Sequence, residues 1–333
     1  MPCRSTLGSD RSAGTDCHIG RREALGVLGG LAGSLAFDRG TAAAQSEGAL
    51  RIGGSPQETF AEAYYAELAG FFKQVNLKTE MISLPNSGAM GAAVAGGSID
   101  VALGNPISIA NARAQGLPFY IFAPAAVYDT AEPAALLTVA KNSPVASAKD
   151  LEGKTIATIE LRGIMQASIR SWMTTRKADP ATTRFIELPF STMATALAAG
   201  RVDAAMIAEP SLTLARPSVR VIGDPYATVA KQWMSTAWYT TADRLAKTPD
   251  EIHAFAGIMT RTAAWAKSHR SETGVLIANL MSLPSDVVAK MARVRFAERL
   301  DPKLIQPVLD AAFSYGILQN PVAARDLFAP GFS

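Results

Sequence analysis

The chain has 333 residues, enough for about two domains, with 48% hydrophobic and 18% charged residues, an ordinary soluble composition. A formal charge of +3 and the lack of any basic block argue against nucleic acid as a partner. The only cysteines are Cys3 and Cys17, so removal of the N-terminal segment leaves no disulfide framework, thiol nucleophile or thiolate metal site. Of the three histidines, His18 shares that segment, and His253 and His269 lack ligand spacing; no cofactor is implied.

Residues 1–44 read as a cleaved export signal. A polar stretch leads to Arg21-Arg22, an apolar run from Ala24 to Phe37, and a small-residue site at Ala42-x-Ala44. The arginine pair and the glycine-rich run resemble a twin-arginine signal, although Gly20 and Ala24 depart from its usual hydroxyl and phenylalanine positions. The Sec route stays open. No other apolar run is long enough to span a bilayer, so the expectation is a soluble periplasmic protein.

From Gln45 onward, short apolar runs alternate with helical segments, the βαβ pattern of a largely parallel sheet. Strands are predicted at 49–54, 77–84, 101–104, 119–127 and 134–140. Helices fall at 58–74, 88–95 and 106–115, the last with Pro106 in its first turn. The pattern restarts after a turn at Lys149–Lys154. Strands at 155–159, 184–188, 204–208 and 219–222 alternate with helices at 163–177, 191–199 and 210–216. Beyond Trp233–Tyr239, residues 249–327 read as almost wholly helical.

One element repeats. Ala93-Val94-Ala95-Gly96-Gly97-Ser98-Ile99-Asp100-Val101-Ala102 aligns with Ala196-Leu197-Ala198-Ala199-Gly200-Arg201-Val202-Asp203-Ala204-Ala205. Small residues let the helix lie close to the sheet. The glycine takes the left-handed turn that ends the helix. The aspartate bonds turn amides, and a buried parallel strand follows. Each copy ends on a polar residue before proline, Asn105-Pro106 and Glu209-Pro210, at the strand end where α/β sheets place ligands.

Taken with Glu67–Phe72, Ala114–Pro118 and Lys149–Ala157, this repeat carries a resemblance over about residues 50–240. The chain resembles the periplasmic binding proteins of ABC transporters for nitrate, taurine, alkanesulfonates and the thiamine pyrimidine precursor. The resemblance implies a type II clamshell of α/β class, each lobe a mostly parallel sheet flanked by helices, with a helical C-terminal region. Lobe one comprises 49–141 plus 235–333, and lobe two is inserted at 142–234. It further implies a monomer that closes on a small-molecule ligand and docks on an inner-membrane permease.

The loops that meet such a ligand hold Ser55 and Gln57, Asn86, Ser87 and Gly88, Asn105, and Arg162 with Gly163. Helix N-termini at these loops favour anionic groups. Arg162 stands where the family often has a small or hydroxyl residue, and its guanidinium could clamp a carboxylate or sulfonate; a surface arginine is the other reading. Glu209 is an acceptor for ligand N–H groups or a helix cap. Tyr128, Phe190 and Trp238, with Trp233 and Tyr239, could stack on a flat ligand, although core packing explains each alone. The expected ligand is a small organic anion. The alternatives are a thiamine-pyrimidine-precursor binding or synthesis protein and the binding subunit of a secondary transporter. A cysteine-free mature chain with no phosphate loop or nucleophile motif argues for binding over catalysis.

Overall fold

The computed structural model describes residues 48–55, 57–84 and 87–332, so the export signal predicted at 1–44 lies outside the described residues. The first sheet is built from β1 (Leu50–Gly54), β2 (Thr79–Ser83), β3 (Val101–Gly104), β4 (Phe119–Pro124) and β12 (Ala237–Thr241), in the order β2-β1-β3-β12-β4. The second uses β6 (Ala135–Ala140), β7 (Thr155–Thr158), β8 (Arg184–Glu187), β9 (Ala204–Ala208) and β10 (Val219–Gly223), in the order β10-β6-β9-β7-β8. A small third sheet joins β5 (Ala126–Asp129) to β11 (Gln232–Met234) and β13 (Arg295–Phe296).

The two large sheets have the same plan. β1 lies between β2 and β3 in parallel, and β7 lies between β8 and β9 in parallel. In each, two antiparallel ladders complete the sheet, through β12 in the first and β6 in the second. The mostly parallel sheets expected from the apolar runs are therefore mixed. A buried antiparallel strand shows the same hydrophobic run as a parallel one, so composition could not separate them.

The repeat supplies the matching core of both sheets. Gly97 and Gly200 end their helices with φ of 71° and 65°, as the left-handed turn requires. The aspartates act differently from the expectation. Asp100 accepts from the backbone N–H of Arg51 on β1 at 2.8 Å, and Asp203 accepts from Thr155 N–H on β7 at 2.8 Å. Each aspartate's own N–H donates to the carbonyl of that same residue, at 2.9 Å. Asp100 and Asp203 thus clamp neighbouring parallel strands together instead of bonding their own turns. Asp100 also receives Nε and Nη2 of Arg51 at 2.9 and 2.8 Å and faces Arg244 at 3.3 Å.

β6, within the stretch 49–141 expected for the first lobe, pairs with β9 and β10 in the second sheet. The C-terminal region touches helices beside both large sheets. The helix Pro302–Ser314 buries Ile305, Val308, Leu309 and Ala312 and packs on both Pro106–Ala114 and Ile164–Thr175, one helix from each lobe. The predicted helix 58–74 is broken into Glu58–Phe60, Glu62–Leu68 and Phe71–Gln74, with Gly70 at φ 72°. Between 249 and 327 the regular elements are helices separated by short irregular stretches, apart from β13, a two-residue strand too short to give a periodic signal.

Asp100→Ala takes from Arg51 its two side-chain bonds and from Arg244 one of its two ion pairs, the other being to Glu251, and its expected cost is about 3 kcal/mol. Asp203→Ala, at a half-exposed site with Lys154 3.8 Å away, is expected to cost about 1 kcal/mol. Urea unfolding of both variants measures the difference; equal losses would contradict the assigned strength of the first clamp.

Candidate functional site

A cavity of about 700 Å³ lies where strand ends from all three sheets meet. From the first sheet come Ser55 and Gln57 after β1, Asn105 after β3, and Ser235 and Thr236 ahead of β12. Ser87 and Gly88, which open the helix Ser87–Ala95, line it as well. From the second sheet come Ala134 and Ala135 at the start of β6, Ile159 and Glu160 after β7, Glu187, Pro189 and Phe190 around the end of β8, and Ala208 on β9. The small sheet adds Tyr128 and Asp129 of β5 and Arg295 of β13. Parallel strands end at the cavity and the antiparallel β6 and β12 begin there, so one edge of each sheet faces it.

Most charged groups on the wall are paired. Arg293, buried, donates Nε to Glu58 at 2.6 Å and Nη2 to Tyr65 and Thr273 at 3.2 and 3.3 Å. Arg270 holds Glu132 through two bonds, and the backbone N–H of Arg293 adds a third at 3.0 Å. The Arg270 bonds lead the effects that hold the Glu132 carboxyl below its usual range. Asp129 pairs with Arg295 and accepts from Gln232 at 2.7 Å. Its carboxyl is lowered chiefly by the Ala131 N–H. Glu58 goes the other way: burial raises it despite Arg293.

The second lobe's wall differs. Burial, and then the neighbouring Glu187, push the Glu160 carboxyl up. Gly163 lies against this side chain so closely that a Cβ there would sit 2.3 Å from Glu160 Oε1. Beside it, Tyr128, Tyr226 and Trp233 form a packed trio: Tyr128 stacks on Trp233 at 5.4 Å, and Tyr226 meets Trp233 edge-on at 4.9 Å. Tyr128 donates to Asp224 at 2.5 Å, which fixes its ring. Tyr128 and Tyr226 reach the cavity, and Phe190 lines it from the second sheet.

Of the residues expected from the sequence, the structure brings Ser55, Gln57, Ser87, Gly88, Asn105, Tyr128 and Phe190 to one cavity. Asn86 lies outside the described residues. Asn105 also caps its helix, accepting from Ser108 N–H at 2.8 Å. Four residues fall elsewhere. Arg162, with φ at 58°, is exposed, and its guanidinium points to the Ile317 carbonyl at 3.4 Å. It is not among the residues that line the cavity. Gly163 serves the close approach to Glu160 instead of the cavity surface. Glu209 caps the helix Ser211–Ala215 through Thr213 N–H at 2.9 Å and also lies off the cavity. Trp238 is completely buried in the first lobe, where its Nε1 donates to Glu62 at 2.6 Å and its ring meets Phe255.

The sequence reading missed Glu187, Tyr226, Thr236 and the two arginines of 293–295. Glu187 ends a parallel strand, so the strand-end rule used for Asn105 would have found it. The arginines come from a segment read as helix, and no local signal marks them. Among the described residues, no group of three or more His, Cys, Asp or Glu could hold a metal ion.

The sequence matches the family described as NMT1/THI5 like over residues 57–273, more than half of the chain. The chain belongs to that family. No curated protein matches the sequence. Among solved structures, this NMT1/THI5-like chain is similar to the alkanesulfonate-binding protein SsuA from Xanthomonas axonopodis pv. citri bound to MOPS. They share 19% identity with a TM-score of 0.69, over 85% of this chain and 98% of that one. It is likewise similar to the ligand-binding component of an ABC-type import system from Staphylococcus aureus, at 14% identity and a TM-score of 0.73, over 85% and 97% of the two chains. The desulfurization enzyme DSZB shares the fold too, at 15% identity and a TM-score of 0.65, over 85% and 97%. The NMT1/THI5-like chain therefore has the two-lobed α/β fold of periplasmic solute-binding proteins. No helix among the described residues is long and apolar enough to cross a membrane.

The buried Glu62 yields a pH prediction. Burial raises its carboxyl well above the usual range, and Trp238 only partly offsets this. The folded state therefore holds a proton that the unfolded state has released. Stability from this group is full below the unfolded pKa of about 4.3 and is lost as pH rises towards the raised folded value. Glu62→Gln removes that loss, so its melting temperature relative to the parent is expected to climb as pH rises above the unfolded pKa of about 4.3. Parallel melting curves with no pH trend would contradict a raised Glu62.

Proposed function

We propose that this protein is the extracytoplasmic solute-binding component of an ABC importer, working as a monomer that captures a small organic solute and presents it to a membrane permease. The observation that carries the reading is the cavity of about 700 Å³ at converging strand ends. Its size falls within the range of small-molecule sites, and its lining combines apolar and aromatic surface with polar and charged side chains. The ABC-type import component and the SsuA protein among its structural relatives support the same role. Export through the signal read at 1–44 would place it in the periplasm. Closure of the two lobes on the solute would be the form that the permease recognises.

The aromatic lining favours a flat solute. Tyr128, Tyr226 and Phe190 offer ring faces and edges to one, whereas a compact inorganic anion such as nitrate would leave most of this wall uncovered. That feature keeps a thiamine pyrimidine precursor as the second reading within the family.

A thermal-shift screen of the purified protein against sulfonates, aromatic carboxylates, pyrimidines and aromatic amines tests the role. A true solute at a hundredfold excess over its Kd is expected to add about 2.7 kcal/mol of stability. Phe190→Ala should weaken that binding about tenfold, measured below the melting temperature of the variant, because Phe190 also packs against the core of the second lobe and its truncation lowers the ligand-free melting temperature. A panel in which nothing stabilises the protein would contradict the reading.

A further inference from the structure

Asp224 lies just beyond β10, where the chain passes from the second sheet towards β11 of the small one. Tyr128 stands on β5, near the point where the chain makes the opposite passage to β6. Asp224 does not line the cavity, yet it reaches the segments of both tyrosines that do. One carboxylate oxygen accepts from the Tyr128 hydroxyl at 2.5 Å, a charge-assisted length. The other accepts from the Ala227 N–H at 3.3 Å, across the turn that carries Tyr226. The two tyrosine rings meet edge to face at 5.4 Å, and both pack on Trp233, the register partner of Tyr128 on β11. Trp233 Nε1 donates back to the Tyr226 carbonyl at 3.2 Å and closes the circuit. Asp224 starts from a fixed base. A Cβ on Gly223 would lie 2.5 Å from the ring of buried Trp172, so the backbone there is pressed against the helix Ile164–Thr175.

We propose that Asp224 is a positioning residue of the solute site: from outside the cavity, its two oxygens hold Tyr128 and Tyr226 in one fixed arrangement at the two passages between the sheets, so that the aromatic wall is set before a solute arrives. This rests on the reading of the cavity as the site of a flat solute. A ring that is already held loses less freedom when a solute covers it, and binding is tighter by that difference. The chemistry of position 224 follows from its two donors. An asparagine can fill both places, with Oδ1 accepting from Ala227 N–H and Nδ2 donating to the Tyr128 oxygen. An alanine fills neither, and leaves the Tyr128 phenol without its partner.

Three single-ring probes of different charge, benzenesulfonate, benzamide and benzamidine, are titrated into the full-length protein, and the tightest of them is carried into the variants, each measured below its melting temperature. Asp224→Ala is expected to weaken that probe about tenfold, and Tyr128→Phe, which keeps the ring and loses only the hydroxyl, about threefold. The double variant should match Asp224→Ala within about twofold, because its second change removes a bond already gone. Asp224→Asn is expected to recover all but about threefold of the parent affinity. A double variant in which the two losses multiply to about thirtyfold, or an Asp224→Ala protein that binds like the parent, overturns this inference and leaves the solute-binding role standing. If none of the three probes binds, the tyrosines do not form a ring-binding wall and the inference falls; the solute-binding role itself falls only if the wider screen also finds no stabilising solute.

Discussion

Two aspartates, one per large sheet, set the geometry on which the rest depends. Asp100 ties β3 to β1 and Asp203 ties β9 to β7, each through a side-chain bond to a backbone N–H and a main-chain bond to the carbonyl of the same residue. The clamps sit at the amino ends of β3 and β9. With those ends held in register, the carboxyl ends come out level, and the loops that follow open onto a common space. Cavity residues after β1, β3, β7, β8 and β9 are the direct outcome. The first clamp is the stronger because two arginines enclose Asp100, whereas Asp203 stays half-exposed beside one lysine.

The two lobes then contribute unlike chemistry to one cavity. The first lobe and the small third sheet bring polar side chains and charges that neutralise one another. Arg293 links the segments around Glu58, Tyr65 and Thr273 and leaves little of its guanidinium for a ligand. The second lobe brings two acids without cations, next to the tyrosines of the packed aromatic trio. Selectivity in such a site comes from what each group still lacks, and here Glu160 is half-buried and Glu187 exposed at the cavity edge.

The fold was largely legible in the sequence because its signals are local. The glycine of each repeat copy needs a positive φ, and the apolar run after it needs burial, so the helix–turn–strand unit could be read without knowing its surroundings. Pairing partners could not be read this way. β6 looks like any buried strand, and only its ladders to β9 and β10 place it in the second lobe. The site followed the same division. Ser55, Asn105 and Tyr128 were reached through strand ends, a rule of topology. Arg162 was inferred from its position in the loop alone, and a left-handed backbone at that residue sends its side chain to Ile317 instead. Trp238 shows why an aromatic near a crossing is ambiguous: its ring is core, and its indole N–H answers a buried glutamate.

The central claim is that one site is made jointly by the strand ends of both large sheets. Hydrogen–deuterium exchange with and without the most strongly stabilising solute tests it directly. The account predicts slowed exchange in the segments after β1 and β3 and, together with them, in the segments after β7 and β8. Protection confined to one sheet, or centred on residues 296–304 away from these strand ends, would contradict it.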